Sequence, residues 1–123
     1  MNSLNRAQRD IGTSKTLIEN KRYDWSLAIS YNAMLQAGRA LMFERGYRPS
    51  SVDGHVTVVK FLRAVLGGQA SDRIILVFNG MRKKRHRILY EEMDIVSQNE
   101  AKRSVEWAQE FVRTVEKNVN RRS

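Results

Sequence analysis

Cysteine is absent from this sequence of 123 residues, and proline and histidine are scarce, with one and two residues. The chain therefore forms no disulfide and has no thiol nucleophile or thiolate metal ligand, and two histidines alone do not make a common zinc site. One proline and seven glycines leave few places for turns, which predicts long regular elements. We expect no cofactor and no metal.

Long apolar runs are also missing. No stretch approaches the length of a membrane span, and the first residues lack the apolar core of a signal peptide. We therefore expect a soluble cytoplasmic protein without membrane association. The hydrophobic fraction of 41% is enough for one folded core, so residues 1–123 are predicted to form a single domain.

The spacing of apolar residues is helical along most of the chain. It predicts five helices, at about residues 4–20, 24–45, 54–66, 71–96 and 98–120. Asp24 is placed to cap the second helix, Gly46 to end it, and the spacing of Ser97 and Glu100 fits a capping box for the fifth. The predicted fold is all-α, a five-helix up-and-down bundle.

The fourth predicted helix carries a dense run of positive charge. Five of the 22 lysines and arginines fall within six positions, and they make up about half of the net charge of +9. Such a localised charge favours a polyanionic partner such as RNA, a nucleotide or an acidic protein. The five candidate binding residues are Arg82, Lys83, Lys84, Arg85 and Arg87.

Arg85 and Glu92 fall on the inward, apolar stripe of this helix, together with Phe78 and Met81. Charges on a packed face need a partner or a wet cleft. Two interpretations remain open at this point: a structural pair between the arginine and a carboxylate, or an anion-binding arginine in a groove.

Arg82, His86 and Tyr90 form a second ridge, each four residues from the next. An arginine can bind phosphate oxygens while a histidine exchanges protons near neutral pH, as cleavage through a 2′-hydroxyl requires. The alternative is that His86 is only a solvated neighbour of the lysines. Lys83, Lys84 and Arg87 are best interpreted as an electropositive face that attracts a phosphate backbone.

Three further residues are expected to be structural. His55 lies near a predicted helix start and is expected to pack or to cap that helix. Trp25 and Trp107 are expected to anchor the core or an interface rather than to stack on bases.

Residues 31–42, followed by Gly46 and His55, and residues 82–90 on the penultimate helix resemble the HEPN domain. This family is named for nucleotide binding in higher eukaryotes and prokaryotes. The resemblance implies a helical homodimer whose polar motif lines a cleft at the dimer interface. Many members are metal-independent ribonucleases, some are toxins beside a small nucleotidyltransferase antitoxin, and others only bind nucleotides or RNA.

The family's catalytic pattern is an arginine, often followed by asparagine, and a histidine separated from the arginine by four to six residues. Here Arg85 matches the arginine, His86 takes the asparagine position, and Tyr90 stands where histidine is expected. In the other register, Arg82 and His86 have only three residues between them. A tyrosine, with an ordinary pKa of about 10, is a poor general base at neutral pH.

We therefore predict a HEPN-type domain that binds RNA or a nucleotide through a cationic cleft, as a toxin–antitoxin component with weak or no cleavage. One alternative is a metal-independent endoribonuclease toxin in which Arg85, His86 and Tyr90 are catalytic. A second alternative is a non-catalytic protein interaction module.

Overall fold

A computed structural model describes residues 2–47, 54–66 and 68–120. Over these residues the chain forms five α-helices and no strand, which confirms the all-α prediction. None of the described helices is both long and apolar enough to cross a membrane. In chain order the helices are α1 (Asn2–Glu19), α2 (Tyr23–Glu44), α3 (Gly54–Leu66), α4 (Gly68–Tyr90) and α5 (Gln98–Asn120).

The central helix is α2, which packs against all four others. The helices α1 and α5 flank it and also contact each other, whereas α3 packs on α2 and α4. Alanines 28, 33, 37 and 40 of α2 are buried and let these neighbours approach closely. The main hydrophobic core therefore surrounds α2.

Gly38 marks the closest approach of α3 to α2. A β-carbon at this position would lie 2.5 Å from Cγ1 of Val58, whose side chain is fully buried. Because valine is stiff at χ1, it could not move aside without disturbing its own packing. The absence of a side chain at Gly38 sets how near the two helices lie.

Three buried serines join α1 to α2. The hydroxyl of Ser14 donates to the carbonyl of Ser26 at 3.2 Å, and the hydroxyl of Ser26 donates to the carbonyl of Ser14 at 2.9 Å. The Ser30 hydroxyl donates to Oγ of Ser14 at 3.1 Å. Ser14, which interrupts an apolar stripe in the sequence, is therefore a buried polar group with partners, as burial requires.

The predicted end of α4 is wrong, since the helix stops at Tyr90 rather than near residue 96. Ile95 and Val96 continue the apolar spacing, but they lie in the connection to α5 and pack in a small separate cluster with Leu27 and Ala101. Asp94 has a φ of +56°, a left-handed conformation that cannot continue a helix. The apolar residues that share one helical spacing in the sequence are therefore divided between α4 and the connection that follows it.

The predicted role of Asp24 as the cap of α2 is also wrong. The residue lies inside the helix, and Arg22 at the N-cap makes no side-chain capping bond. The carboxylate of Asp24 instead accepts hydrogen bonds from the backbone N–H groups of Asp94, Ile95 and Val96, at 2.7, 3.1 and 3.0 Å. It ties the connection between α4 and α5 to the start of α2.

Other boundaries follow the prediction. Gly46 ends α2 with a φ of +83°, and α3 spans residues 54–66. The Ser97 hydroxyl accepts the N–H of Glu100 at 3.1 Å, as expected at the start of α5. The fourth helix begins at Gly68, three residues before the predicted start. Residues 48–53, between α2 and α3 in the sequence, lie outside the described residues.

We expect Gly38→Ala to destabilise the fold by about 1–3 kcal/mol, because the new methyl group overpacks against Val58. Thermal unfolding followed by circular dichroism measures the change. Gly12→Ala is the matched control, since a β-carbon there meets nothing within 4 Å, and it should stabilise α1 by about 0.5–1 kcal/mol. Equal effects at the two glycines would contradict this account of the contact between α2 and α3.

Candidate functional site

A chain of hydrogen bonds joins three helices beside the main core. The hydroxyl of Tyr31, on α2, lies 2.8 Å from Nδ1 of His55 at the start of α3. The other ring nitrogen of His55, Nε2, lies 2.7 Å from Oδ1 of Asn79 on α4. These residues are 24 positions apart at each step, so only the tertiary fold brings them together.

The partners define one neutral tautomer of His55. The amide oxygen of Asn79 can only accept, so Nε2 carries the proton and donates it. Nδ1 is then left with a lone pair, which accepts the hydroxyl proton of Tyr31. Tyr31 is only 3% exposed, and the ring of Phe78 stacks against both, at 4.4 Å from His55 and 5.1 Å from Tyr31 between centroids.

Burial keeps both rings uncharged. It lowers the pKa of His55 below the ordinary 6.5; the hydrogen bond with Asn79 opposes this effect and the charge of Arg82 adds to it. Burial also raises the pKa of Tyr31 above 10.0, against the positive charges of Arg85, Arg82 and Arg39. A protonated phenol and a neutral imidazole are the states that the hydrogen bonds require.

Three arginines lie near enough to this pair of rings for their charges to act on it, and we call Arg39, Arg82 and Arg85 the arginine cluster. Cζ of Arg85 lies 5.4 Å from the centroid of the Tyr31 ring, in a cation–π contact. The guanidinium of Arg39 lies against the backbone of Gly54, where a β-carbon would stand only 2.5 Å from Nη2. The glycine therefore gives Arg39 room at the start of α3.

The described residues supply no counter-ion for the positive charge of the cluster. Among the described residues, no carboxylate pairs with any of the three arginines, and none is among the charges that shift the pKa of Tyr31 or His55. The same part of the chain brings no three potential metal ligands together. The cluster is thus suited to an anion.

The sequence-predicted cations lie in different environments. Arg85 is half-buried over Tyr31, whereas Arg82 and Lys83 are exposed. Lys84 pairs with Glu100 at 3.4 Å and Arg87 with Glu92 at 3.0 Å. The structural pairing of Arg85 with Glu92 is therefore wrong, because Glu92 lies beyond the end of α4 and has a different partner.

His86 and Tyr90 lie on the outer side of α4, and the Tyr90 side chain is 74% exposed. Their ring centroids are 4.9 Å apart, so the two side chains are neighbours. Neither takes part in the hydrogen-bonded chain from Tyr31 to Asn79. The structure places the predicted Arg85 against the ring of Tyr31, whereas the predicted Arg82, His86 and Tyr90 are exposed.

Four residues of this site, Tyr31, Arg39, His55 and Asn79, were missed as functional candidates. His55 was expected only to pack or to cap, yet both of its ring nitrogens have polar partners. Tyr31 and His55 do fall in the stretches on which the resemblance rests. Nothing in the spacing along the chain indicates that Asn79 faces them.

Comparison with known families agrees with this architecture. A model of the HEPN domain matches residues 1–118, nearly the whole chain, and the chain therefore belongs to the HEPN domain family. That family comprises nucleotide-binding and ribonuclease-like modules. A search among curated proteins finds no match.

The lowered pKa of His55 predicts a pH-dependent stability. Because the unfolded chain binds a proton at His55 more readily than the folded chain, the free energy of unfolding should fall as the pH drops below about 6.5, and this loss should level off below the folded pKa. His55→Gln should remove this component from denaturant titrations between about pH 7 and pH 5.

The exposed His86 provides the control. His86→Gln should leave the difference in stability between the two pH values as it is in the wild type, because its side chain is exposed and not part of the buried hydrogen-bonded chain. A pH dependence that survives His55→Gln but disappears with His86→Gln would contradict the assignment.

Proposed function

We propose that this HEPN domain binds RNA or a nucleotide by holding a phosphate at the arginine cluster. The observation that carries the proposal is the guanidinium of Arg85 over the buried ring of Tyr31, with Arg39 at the start of α3 and the charge of Arg82 acting on both rings. No described carboxylate pairs with any of the three arginines. A guanidinium donates two parallel hydrogen bonds to phosphate oxygens and stays charged at all relevant pH values.

The buried rings have a positioning role. The ring of Tyr31 packs against the guanidinium of Arg85, and the Tyr31 hydroxyl donates a hydrogen bond to His55. Because His55 is neutral, it adds no charge that would repel the arginines. The cations of α4 that face solvent, such as Lys83, add a long-range attraction for a phosphate backbone without reading its sequence.

The proposed oligomeric state and partners are based on the family. HEPN domains associate with nucleotides or RNA and often form dimers. The proposed unit is a cytoplasmic homodimer of one domain, residues 1–123, that belongs to a toxin–antitoxin pair with a small nucleotidyltransferase. Leu76 of α4, which is 74% exposed, and Val56 of α3, which is 46% exposed, offer apolar surface for a second copy.

Arg82→Gln and Arg85→Gln should each weaken the binding of a fluorescent single-stranded RNA about tenfold at low salt. Each should also reduce the slope of log affinity against log salt concentration by about one, because one phosphate contact is lost. Fluorescence anisotropy titrations at several salt concentrations measure both quantities.

Arg113→Gln is the matched control, since it removes the same charge from an exposed position on α5. It should change the affinity much less than either substitution in the cluster. RNA binding that is absent, or insensitive to salt, would overturn the phosphate site and favour a module that docks an acidic protein. Thermal unfolding of each variant separates lost binding from lost structure.

A second candidate function is metal-independent RNA cleavage. It is favoured by the contact between His86 and Tyr90 on the solvent-facing side of α4, where Arg82 is also exposed. In this mechanism His86 removes the proton of the 2′-hydroxyl, the 2′-oxygen attacks the adjacent phosphorus, and an arginine stabilises the charged phosphorane. The bond from phosphorus to the 5′-oxygen then breaks, the 5′-oxygen leaves with a proton from the protonated His86, and the products are a 2′,3′-cyclic phosphate and a 5′-hydroxyl. Tyr90 would orient His86 through the ring contact.

Incubating labelled RNA with the protein in EDTA distinguishes binding from cleavage. The binding proposal predicts intact RNA at protein concentrations that saturate binding. Cleavage by the wild type that disappears in His86→Ala, with RNA affinity retained, would establish the enzyme instead. Cleavage that is unchanged in His86→Ala would indicate a contaminating nuclease.

A further inference from the structure

An open groove lies between the start of α2 and the connection that follows α4. Its volume is about 390 Å³, within the range of sites for small ligands. Trp25 and Met93 line it, Ile88 contributes apolar surface from the last turns of α4, and Lys21 and Arg22 contribute the cations. The groove is separate from the hydrogen-bonded chain of Tyr31, His55 and Asn79.

Two large apolar side chains in this groove are left in solvent. Trp25 is 49% exposed and Met93 is 84% exposed, although the sequence predicted Trp25 as a core or interface anchor. The other tryptophan, Trp107, is half-buried, with the guanidinium of Arg73 over its ring at 5.3 Å. Trp25 is therefore the tryptophan whose indole has surface available for a ligand.

Two exposed cations, Lys21 and Arg22, are available to a phosphate at one side of the groove. They make no ion pair with a described residue. Two aspartates also line the groove, so its formal charges balance, but the oxygens of Asp24 are directed to three backbone N–H groups of the connection after α4. Asp94 alone contributes an exposed carboxylate against the two cations.

The groove is close to the arginine cluster. Ile88 follows Arg85 by three residues on α4, a rise of about 4.5 Å along the helix axis. A strand whose phosphate is held at Arg85 would therefore place a neighbouring nucleotide at the groove. An exposed indole beside cations is the arrangement with which proteins hold unpaired bases and their flanking phosphates.

We propose that this groove binds a nucleobase of single-stranded RNA by stacking it on the indole of Trp25, with Lys21 and Arg22 holding the flanking phosphate. The inference rests on the proposed phosphate site and identifies its ligand as a strand with unpaired bases rather than a duplex. In a duplex the faces of the bases are already stacked on each other and cannot meet the indole.

Tryptophan fluorescence tests the stacking. In a Trp107→Phe background, Trp25 is the only indole in the chain. Titration with a short oligoadenylate should quench this emission, whereas an abasic oligomer of the same length should bind through its phosphates without quenching. Trp25→Leu should lower the affinity for oligoadenylate about tenfold and leave that for the abasic oligomer unchanged, and Trp25→Phe should retain most of the affinity.

The outcomes of this experiment test the groove and the arginine cluster separately. Normal affinity for oligoadenylate without quenching, or equal losses with Trp25→Leu for both oligomers, would overturn the groove and leave the phosphate site standing. Failure of both oligomers to bind the wild type would overturn both proposals. Quenching by a duplex as strong as by a single strand would overturn the assignment to unpaired bases.

Discussion

The burial of α2 on nearly all sides is the constraint on which the rest of the structure depends. Because this helix packs against all four others, each polar group on it must find a partner inside the protein. Ser26 and Ser30 find theirs in Ser14 of α1. Tyr31 finds His55, and that bond connects the core directly to the candidate site.

The candidate site follows from the same constraint. A buried phenol needs an acceptor, the acceptor must be an uncharged imidazole, and the imidazole needs Asn79 on its other side. The hydrogen bonds between Tyr31, His55 and Asn79 therefore hold α2, α3 and α4 in one arrangement. They also provide a rigid, uncharged surface on which the guanidinium of Arg85 packs. The charged groups of the arginine cluster therefore lie outside the core, because charges inside the core would lack water or a counter-ion.

Much of the fold could be predicted from local patterns. The α3 helix spans the predicted residues, Gly46 and Ser97 act at the predicted helix ends, and the cationic run does lie on α4. The end of α4 could not be predicted in this way. Ile95 and Val96 keep the helical spacing, and only the bonds from Asp24, seventy residues earlier, show that this segment has turned away.

The sequence by itself determined that the chain is helical and that a charged helix presents several cations, because apolar spacing and charge are local properties. The tertiary structure alone decided which polar side chains are buried and which face water. Arg85 and His86 are adjacent in the sequence, yet the first lies over a buried ring and the second is exposed. The physical reason is that the desolvation of a side chain depends on which neighbouring helices cover it. The spacing of residues along one helix does not indicate where the other helices lie.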